Sequence, residues 1–520
     1  MTYLAVPISG RDSAEAGKQI ASAVKAGAEM LELRTDYLER LSPALVNKLI
    51  GEARAATKGR LLLIVTCRDK AEGGANDWPL DLRSDVLAEA LNCGVDFVDC
   101  EWGSFSADEA YGKLKAALSA NPHARLILSS HSFDGPFPCG LQSLYSEIRS
   151  YPNAIPKLVF KANHINDCFE AFDLLNNKQG DAIVLCMGQG GLISRILAKK
   201  LGGLLTFASI DESSATAPGQ LTIEQLRKLY CWESTNTETE LYGVIGWPVG
   251  HSLSPAIHNA GFKQIGANKL YVPLLIEGGR DEFCRFMDNI LSRPWLGFRG
   301  VSITIPHKEN ALAFVKANGG HVGPVVEKIG ALNTLLIDSD GKLRAYNTDL
   351  DGALNAITSK MGISRAEFRD MPVAVIGAGG VARTIVAGLS DAGAAVKIYN
   401  RTVDRAEKVA AEFGCSFASL DALPGVDAKL VVNCTSIGMH PNVDATVLPK
   451  EYIKQDMAVF DTVYNPQETL LLKHAREVGA TTIEGLSMFI NQAVVQFKLF
   501  TGQGGDANLM RKTSSGELGR

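Results

Sequence analysis

The chain has 520 residues, too many for one hydrophobic core, so two to four domains are expected. Its 46% hydrophobic and 21% charged residues are those of an ordinary globular protein, and a net charge of −5 argues against a nucleic-acid or polyanion binder. No apolar run nears the ~18 residues of a membrane span, which excludes a helical membrane protein.

Ten cysteines include no C-x-x-C pair and no Cys/His group of metal-ligand spacing. Reduced, mostly buried thiols and no metal follow. The strand-like run Tyr3–Pro7 comes so early that it leaves no room for a leader, and the chain is expected to be cytosolic or already processed.

Eight short apolar runs recur up to residue 209: Tyr3–Ile8, Met30–Arg34, Leu61–Arg68, Val95–Trp102, Leu126–His131, Pro156–Ala162, Ala182–Met187 and Leu204–Ser209. Helix-like stretches such as Ser13–Ala26 and Ser84–Leu91 separate most of them. Eight alternating β/α units predict a (β/α)8 barrel, with a doubly wound open sheet as the alternative. In a barrel the chemistry sits at the C-terminal ends of the strands. Polar residues gather there: Glu32 and Arg34, Arg68 followed by Glu72-Gly-Gly74, Ser129-Ser-His131, and Lys157 just before Leu-Val-Phe. Each has a plain reading as well: an ion pair between Glu32 and Arg34, a snorkelling Lys157, a hydrogen-bonded core His131. Together, His131 and Lys157 on neighbouring strands suggest more. A desolvated lysine near arginines becomes an amine nucleophile for a carbonyl. A histidine beside it can move the proton that imine formation acidifies. Short basic clusters such as Lys199-Lys200 read as solvated helix surface.

Six segments resemble type I 3-dehydroquinate dehydratase over residues 1–230. They are Glu32-Leu-Arg34, Thr66-Cys-Arg68 with Glu72-Gly-Gly74, Ser129-Ser-His131-Ser-Phe133, Gly191-Leu-Ile-Ser-Arg195, Gly202–Phe207 and Ala217-Pro-Gly-Gln220. The resemblance implies that Lys157 forms the Schiff base with the ketone of 3-dehydroquinate. It makes His131 the group that takes the α-proton and later protonates the leaving hydroxyl. Glu32, Arg34, Arg68, Arg195 and Gln220 would hold the carboxylate and hydroxyls. Two departures stand out. Lys161 competes with Lys157 for the nucleophile's role, and Thr216 replaces the more usual serine, keeping its hydroxyl as a substrate contact.

Leu221–Tyr230 reads as the last amphipathic helix, and the polar, aperiodic 231–240 as a linker. A new strand starts at Leu241–Gly246. Ser252-Leu-Ser254-Pro255 then sits at a strand-to-helix turn, where hydroxyls can cap the helix and bind an anionic ligand; a plain N-cap needs only one of them. The strand Gly300-Val-Ser-Ile-Thr304-Ile stops at Pro306, with Lys308 just beyond, and Asn333-Thr334 and Asn347-Thr-Asp349 follow. Lys308 and Asp349 at the mouth of a coenzyme cleft suit carbonyl reduction; a surface salt bridge is the plainer alternative.

Val373–Ile376 reads as a buried parallel strand that breaks into Gly377-Ala378-Gly379-Gly380-Val381-Ala382. Gly377, Gly379 and Ala382 fit G-x-G-x-x-A, which brings a pyrophosphate against the helix N-terminus. About 20 residues on, where an NAD site places an acid for the ribose, stand Asn400, Arg401 and Thr402, which suit a 2′-phosphate. We therefore expect NADP(H). The Gly-Ser-rich, charged stretch 503–520 is expected to be disordered.

From Leu241 onward the sequence resembles shikimate dehydrogenase. The glycine loop, Asn400-Arg401-Thr402, Asn433–Met439, Asp461–Pro466 and Gly485–Gln492 carry the likeness. It implies a catalytic pair of Lys308 and Asp349. Ser252, Ser254, Thr304, Asn333, Asp349 and Gln492 would contact shikimate, and Thr435, Val463 and Gly485 would lie along the nicotinamide. Ser302 stands where many relatives carry Asn.

The whole is similar to the dehydroquinate dehydratase–shikimate dehydrogenase fusions of plants and some bacteria. That implies a barrel (1–230), a linker (231–240), a substrate-binding domain (241–350), and a Rossmann NADP domain with a return helix (351–502). The substrates would be 3-dehydroquinate, 3-dehydroshikimate and shikimate, with no nucleic acid and no membrane. A monomer is expected, in the cytoplasm or, for a processed plant form, the plastid stroma. The competing readings are a degenerate barrel fused to an active dehydrogenase, and a barrel that only binds a pathway carboxylate. Ser252, Ser254 and Thr304 favour shikimate over quinate; comparable rates on the two would overturn that preference.

Overall fold

A computed structural model describes residues 1–107, 111–250 and 252–518. His251, just before Ser252, lies outside the described residues, as do the last two of the terminal stretch 503–520. The chain forms two compact units, one built from 1–239 with 268–277 and 285–292, the other from the remaining segments.

The first unit holds eight parallel strands: β1 (Tyr3–Ile8), β2 (Met30–Arg34), β3 (Leu62–Thr66), β4 (Phe97–Glu101), β5 (Arg125–Ser132), β6 (Ile155–Lys161), β7 (Ile183–Met187) and β8 (Leu205–Phe207). They lie in the order β7–β6–β5–β4–β3–β2–β1–β8. At the seam between β7 and β8, Leu204 N–H donates to Ala182 O at 2.8 Å. This is the barrel and not the open sheet.

Strand alternation explains what fills it. Met30, Ile64, Phe97, Ile127, Ile155 and Ile183 form an apolar floor. Two residues further along each strand, on the same face, stand Glu32, Thr66, Asp99, Ser129, Lys157 and Leu185. Two further again come Arg34, Arg68, Glu101, His131, Val159 and Met187. The period of two therefore stacks a charged floor on an apolar one at the C-terminal end.

Residues 221–239 differ from expectation. The predicted helix is reduced to a short piece ending in a π-helical turn, Gln225–Leu229. The segment 231–239 is no free linker, because Trp232, Thr235 and Thr239 are buried. Lys199 Nζ donates to Trp232 O at 2.6 Å, and Lys200 Nζ to Thr237 O at 2.9 Å. Carbonyl oxygens thus receive lysines that the sequence suggested were solvated.

The second-half strands are β9 (Glu240–Gly246), β10 (Lys269–Leu275), β11 (Phe298–Ile303), β12 (His321–Val322), β13 (Thr334–Ile337), β14 (Leu343–Tyr346), β15 (Pro372–Ile376), β16 (Ala395–Asn400), β17 (Ser416–Ser419), β18 (Leu430–Asn433), β19 (Ala458–Asp461) and β20 (Thr481–Ile483). In the second unit β9, β11, β13, β14 and β12 are neighbours in that order. A separate parallel sheet runs β17–β16–β15–β18–β19–β20, the doubly wound dinucleotide-binding order. Along β15, Val373 and Val375 enter one core while Ala374 and Ile376 enter the other, so both faces are covered.

The long helix Gly485–Thr501 returns to the first of these sheets. Tyr242 Oη donates to Phe500 O at 3.0 Å, and Gln496 bridges Ser302 and Thr334, each at 3.0 Å. The stretch after it is not disordered as expected. Ala507–Leu518 is a helix, started by Asp506 Oδ1 accepting from Asn508 N–H and Leu509 N–H, with Met510 and Ser514 fully buried. A composition rich in Gly and Ser hid one well-placed cap and one apolar anchor.

Met510→Ala should therefore destabilise the second unit by about 2 to 5 kcal/mol. Urea unfolding would show it as a lowered midpoint for that unit alone.

Two candidate active sites

The barrel mouth opens into a pocket lined by Glu32, Arg34, Arg68, Glu72, His131, Lys157, Arg195, Thr216 and Gln220, with Phe133 and Phe207 as apolar walls. Each barrel residue to which the resemblance gave a catalytic or substrate role reaches it. Lys161 does not line it and is exposed at the end of β6, which leaves Lys157 as the amine in the pocket.

The surroundings of Lys157 differ from expectation. The amine is not simply desolvated among apolar groups and arginines. Its Nζ lies 2.6 Å from Asp99 Oδ2 and 3.5 Å from Glu32 Oε1, with the Phe207 ring centroid at 4.8 Å. Glu32 Oε1 also accepts from Thr66 Oγ1 at 2.9 Å. Nor do Glu32 and Arg34 pair with each other, since Arg34 forks onto Asp36 with both contacts at 2.8 Å. Arg68 is drawn deeper than a simple substrate clamp. It pairs with Asp99 and Glu101 at 2.8 Å and reaches Ser129 Oγ at 2.5 Å. Arg83 backs Glu101 at 3.1 Å.

His131 Nδ1 lies 2.9 Å from Glu72 Oε2, which also accepts the His131 backbone N–H at 3.1 Å. Burial, with the Arg68 and Lys157 charges beside it, holds the imidazole well below its ordinary range, so it is neutral at physiological pH. Burial pushes the Glu72 carboxyl up to about 7, with Glu101 and Asp99 adding to the rise and Arg68 opposing it. When Glu72 is ionised it accepts the Nδ1 hydrogen, which leaves Nε2 as the basic nitrogen.

Arg195 and Gln220 close the pocket. Burial lowers the Arg195 guanidinium to about 10, and its Nε has no hydrogen-bond partner among the described residues. Gln220 Oε1 accepts from Thr216 N–H at 2.8 Å and from Thr216 Oγ1 at 3.2 Å, while its Nε2 has no partner among the described residues. Buried donors left unpaired cost about 1–3 kcal/mol each, and an anionic, hydroxylated ligand would supply the missing acceptors.

In the second unit Lys308 and Asp349 each head a helix, and Lys308 Nζ donates to Asp349 Oδ2 at 2.5 Å. Both side chains are only 11% exposed, so the pair belongs to a cleft and not to the open surface. Asn333 is tied to Thr348 twice, giving Nδ2–H to Oγ1 at 2.9 Å and taking Thr348 N–H at 2.7 Å. Thr348 Oγ1 reaches Gln492 Oε1 at 3.3 Å. Ser252 Oγ accepts from Ser254 N–H at 3.2 Å at the turn into the helix Ser254–Gln264, whose N-cap position is Leu253. Thr304 is half-buried just beyond β11, with its N–H on Ile245 O at 2.8 Å.

The glycine loop joins β15 to the helix Gly380–Asp391. Gly377 has φ +112°, and a Cβ there would press on Cys434 O at 3.2 Å. A Cβ on Gly379 would meet nothing within 4 Å, so the helix N-terminus stays open to a bulky anion. Ala378 and Val381 pack at the edge of the core and Ala382 inside it. Asn400 Nδ2 donates to Thr402 O at 2.7 Å, and Arg401 projects from the surface beside them. Thr435 Oγ1 donates to Asn433 Oδ1 at 2.7 Å, and Val463 N–H to Asp461 Oδ1 at 3.1 Å. Gly485 has no room for a side chain, since a Cβ would lie 2.4 Å from Val463 O. These residues form a cradle that fits a dinucleotide.

Sequence reasoning missed Asp99 and Glu101 as members of the first site, and left Ser129 and Glu72 there, and Thr348 in the second, without a role. One signal was present. Asp99 and Glu101 sit two apart inside an apolar run, the spacing that puts both on one strand face.

Four family models match the chain. They are type I 3-dehydroquinase over residues 4–237, the shikimate dehydrogenase substrate binding domain over 244–335, shikimate/quinate 5-dehydrogenase over 360–461, and the shikimate 5′-dehydrogenase C-terminal domain over 485–513. A chloroplastic bifunctional 3-dehydroquinate dehydratase/shikimate dehydrogenase of Arabidopsis thaliana is 37% identical over 93% of this chain and 79% of the relative. A shikimate dehydrogenase (NADP(+)) of Methanosarcina acetivorans is 38% identical over 52% of this chain and 96% of its own length. A crystal structure of a shikimate dehydrogenase in complex with NADP+ aligns with 55% of this chain and 97% of its own, at 37% identity and a TM-score of 0.49. Fold and sites together define a two-part enzyme, a barrel lyase followed by a nicotinamide-coenzyme oxidoreductase. The chain belongs to the bifunctional 3-dehydroquinate dehydratase/shikimate dehydrogenase family.

The Glu72–His131 contact has a pH consequence. Glu72 is ionised only above about 7, so dehydratase kcat/KM should fall as pH drops through that value. Glu72→Gln should remove this acid limb and lower activity by about ten-fold or more, as pH–rate profiles would show.

Proposed function

We propose that the barrel dehydrates 3-dehydroquinate through an imine on Lys157, and that the second unit reduces the product, 3-dehydroshikimate, to shikimate. The observation that supports the first step most directly is Lys157 and His131 lining one pocket, each with its own carboxylate partner. The Lys157 ammonium passes one proton to His131 Nε2, the freed amine adds to the ketone carbon, and the carbinolamine loses its hydroxyl as water, with that proton returned, to give the iminium. His131 Nε2 removes the acidified α-proton, giving an enamine. The enamine electrons then expel the β-hydroxyl, which leaves as water with the proton His131 carries. Water hydrolyses the remaining iminium and frees the amine. Arg195 and Gln220 hold the substrate carboxylate with their unpaired donors, and Arg34 and Glu32 orient the hydroxyls.

In the second unit the coenzyme NADPH, when bound, supplies the hydride. Gly377–Ala382 would hold its pyrophosphate, Asn400, Arg401 and Thr402 its 2′-phosphate, and Thr435, Val463 and Gly485 its nicotinamide side. Lys308 Nζ gives a proton to the oxygen of the carbonyl being reduced, and Asp349 fixes the direction of that ammonium. Asn333, Gln492, Ser252, Ser254 and Thr304 position the hydroxyls and carboxylate, with shikimate preferred over quinate. One chain carrying both sites raises the local concentration of the intermediate at the second. All ten cysteines are free thiols, which suits a reducing compartment, the cytoplasm or the plastid stroma.

NADPH absorbance is expected to fall when 3-dehydroquinate is the only substrate added. Lys157→Ala should stop that loss and leave the loss with 3-dehydroshikimate intact. Lys308→Ala should lower kcat with 3-dehydroshikimate by about 100-fold or more. No loss with 3-dehydroshikimate in the unaltered chain would overturn the second half of the reading.

Arg401→Ser should weaken NADPH binding by about 10- to 100-fold while changing NADH binding little, because one charge-assisted contact to the 2′-phosphate is worth about 1.5–3 kcal/mol. Coenzyme titration by fluorescence reads both.

A further inference from the structure

Asp99 stands directly behind the reacting nitrogen. Its Oδ2 is 2.6 Å from Lys157 Nζ, and both side chains are buried. It does not line the pocket, so it contacts the nitrogen from the side away from the ligand. The carboxylate is held at both ends. Oδ1 accepts from Ser129 Oγ at 2.7 Å, and Oδ2 is shared with Arg68 Nη2 at 2.8 Å. Burial opposes ionisation, yet the Arg68 and Lys157 charges hold this carboxyl well below the usual range. Asp99 is thus a permanent anion and not a proton carrier, a different part from that of Glu72.

We propose that Asp99 is a catalytic counter-ion, the acceptor of the single N–H that Lys157 retains once the imine has formed. The inference rests on the Schiff-base reading of the barrel. The ammonium of Lys157 has three hydrogens. One points to Asp99, and Glu32 lies 3.5 Å away on another side. When the amine adds to the ketone and water leaves, the nitrogen keeps one hydrogen and carries the positive charge. The direction of that N–H fixes the plane of the C=N bond. With Oδ2 clamped by Arg68 and Oδ1 by Ser129, the N–H must turn toward Asp99. The α-carbon then presents a constant face to His131 Nε2. A preorganised anion beside the charge that develops in the reaction is worth about 100-fold or more in rate.

Sodium borohydride tests this, because its hydride adds to the iminium carbon and converts the linkage to a stable secondary amine. The adduct formed with 3-dehydroquinate is weighed by mass spectrometry on the full chain. If the unaltered chain gives no adduct at any pH, the Schiff-base reading itself fails, and Asp99 with it. If it gives one, Asp99→Asn is the informative variant. It keeps the shape and one acceptor oxygen, loses the charge, and puts an amide NH2 where the second carboxylate oxygen stood. We expect kcat to fall about 100-fold, with KM nearly unchanged and the adduct yield falling as pH rises from about 6 to about 9. The yield in the unaltered chain should stay level over that range, because the anion keeps the nitrogen protonated. An Asp99→Asn variant with unaltered kcat and a level yield overturns the proposal. Where that variant does not fold, as judged by circular dichroism, Ser129→Ala decides the matter. That variant frees Oδ1 and removes the Arg68 Nη1 contact to Ser129 Oγ while Asp99 keeps its charge, so kcat should fall several-fold at constant KM, and an unchanged kcat would reject the inference.

Discussion

A buried charge is tolerable only beside its opposite, and this governs the barrel. Lys157, Arg68 and Arg83 enter an interior where an isolated ion would be several kcal/mol too costly, and Asp99, Glu101 and Glu32 enter with them. Removing one member strands its partner, at about 3–5 kcal/mol. The cluster is therefore fixed as a unit. It rests on the apolar layer of Met30, Ile64, Phe97, Ile127, Ile155 and Ile183, which excludes water from below. The reactive amine gains a rigid position from the same contacts that make its burial possible.

The dehydrogenase half solves its positioning problem with hydrogen bonds and helix ends. Lys308 and Asp349 each start a helix, so their backbones are set by the helix axis and their side chains meet at 2.5 Å. Neutral groups do the rest. Asn333 and Thr348 saturate one another, and Gln496 carries the chain of contacts back to Ser302 and Thr334 on the sheet. Such a network transmits position without placing more charge next to a coenzyme that is itself highly charged.

Much of this was legible in the sequence, because strand alternation and glycine loops are local patterns. The barrel strands, the dinucleotide loop and the pocket residues Glu32, Arg34, Arg68, His131 and Lys157 follow from apolar runs, a glycine spacing and the polar residues at strand ends, while Arg195, Thr216 and Gln220 came only from the family resemblance. Partners across strands were not legible. Arg34 and Glu32 are adjacent on one strand face yet bond elsewhere, to Asp36 and to Thr66 with Lys157. Asp99 and Glu101 drew no attention, since what they meet comes from the segment just after β3, from Arg83 on the helix Leu80–Asn92, and from β5 and β6. Composition also misled at two places. The residues after Gly502 are sparse in apolar side chains, yet Met510 is fully buried and anchors a helix. The polar 231–239 gains its order from Trp232 and from lysines about 30 residues earlier.

The return of the helix Gly485–Thr501 to β9 sets an order of events at the ribosome. Tyr242 and Phe500 are 258 residues apart and hydrogen-bonded to each other. The sheet that contains β9 cannot close its core until nearly all the chain has been made. The barrel strands, by contrast, pair mostly with their neighbours in sequence, and their last, β8, ends at Phe207. Loop closure over short spans is fast and over long spans slow. During synthesis the lyase core can therefore form first, while the reductase remains an open sheet awaiting its final helix.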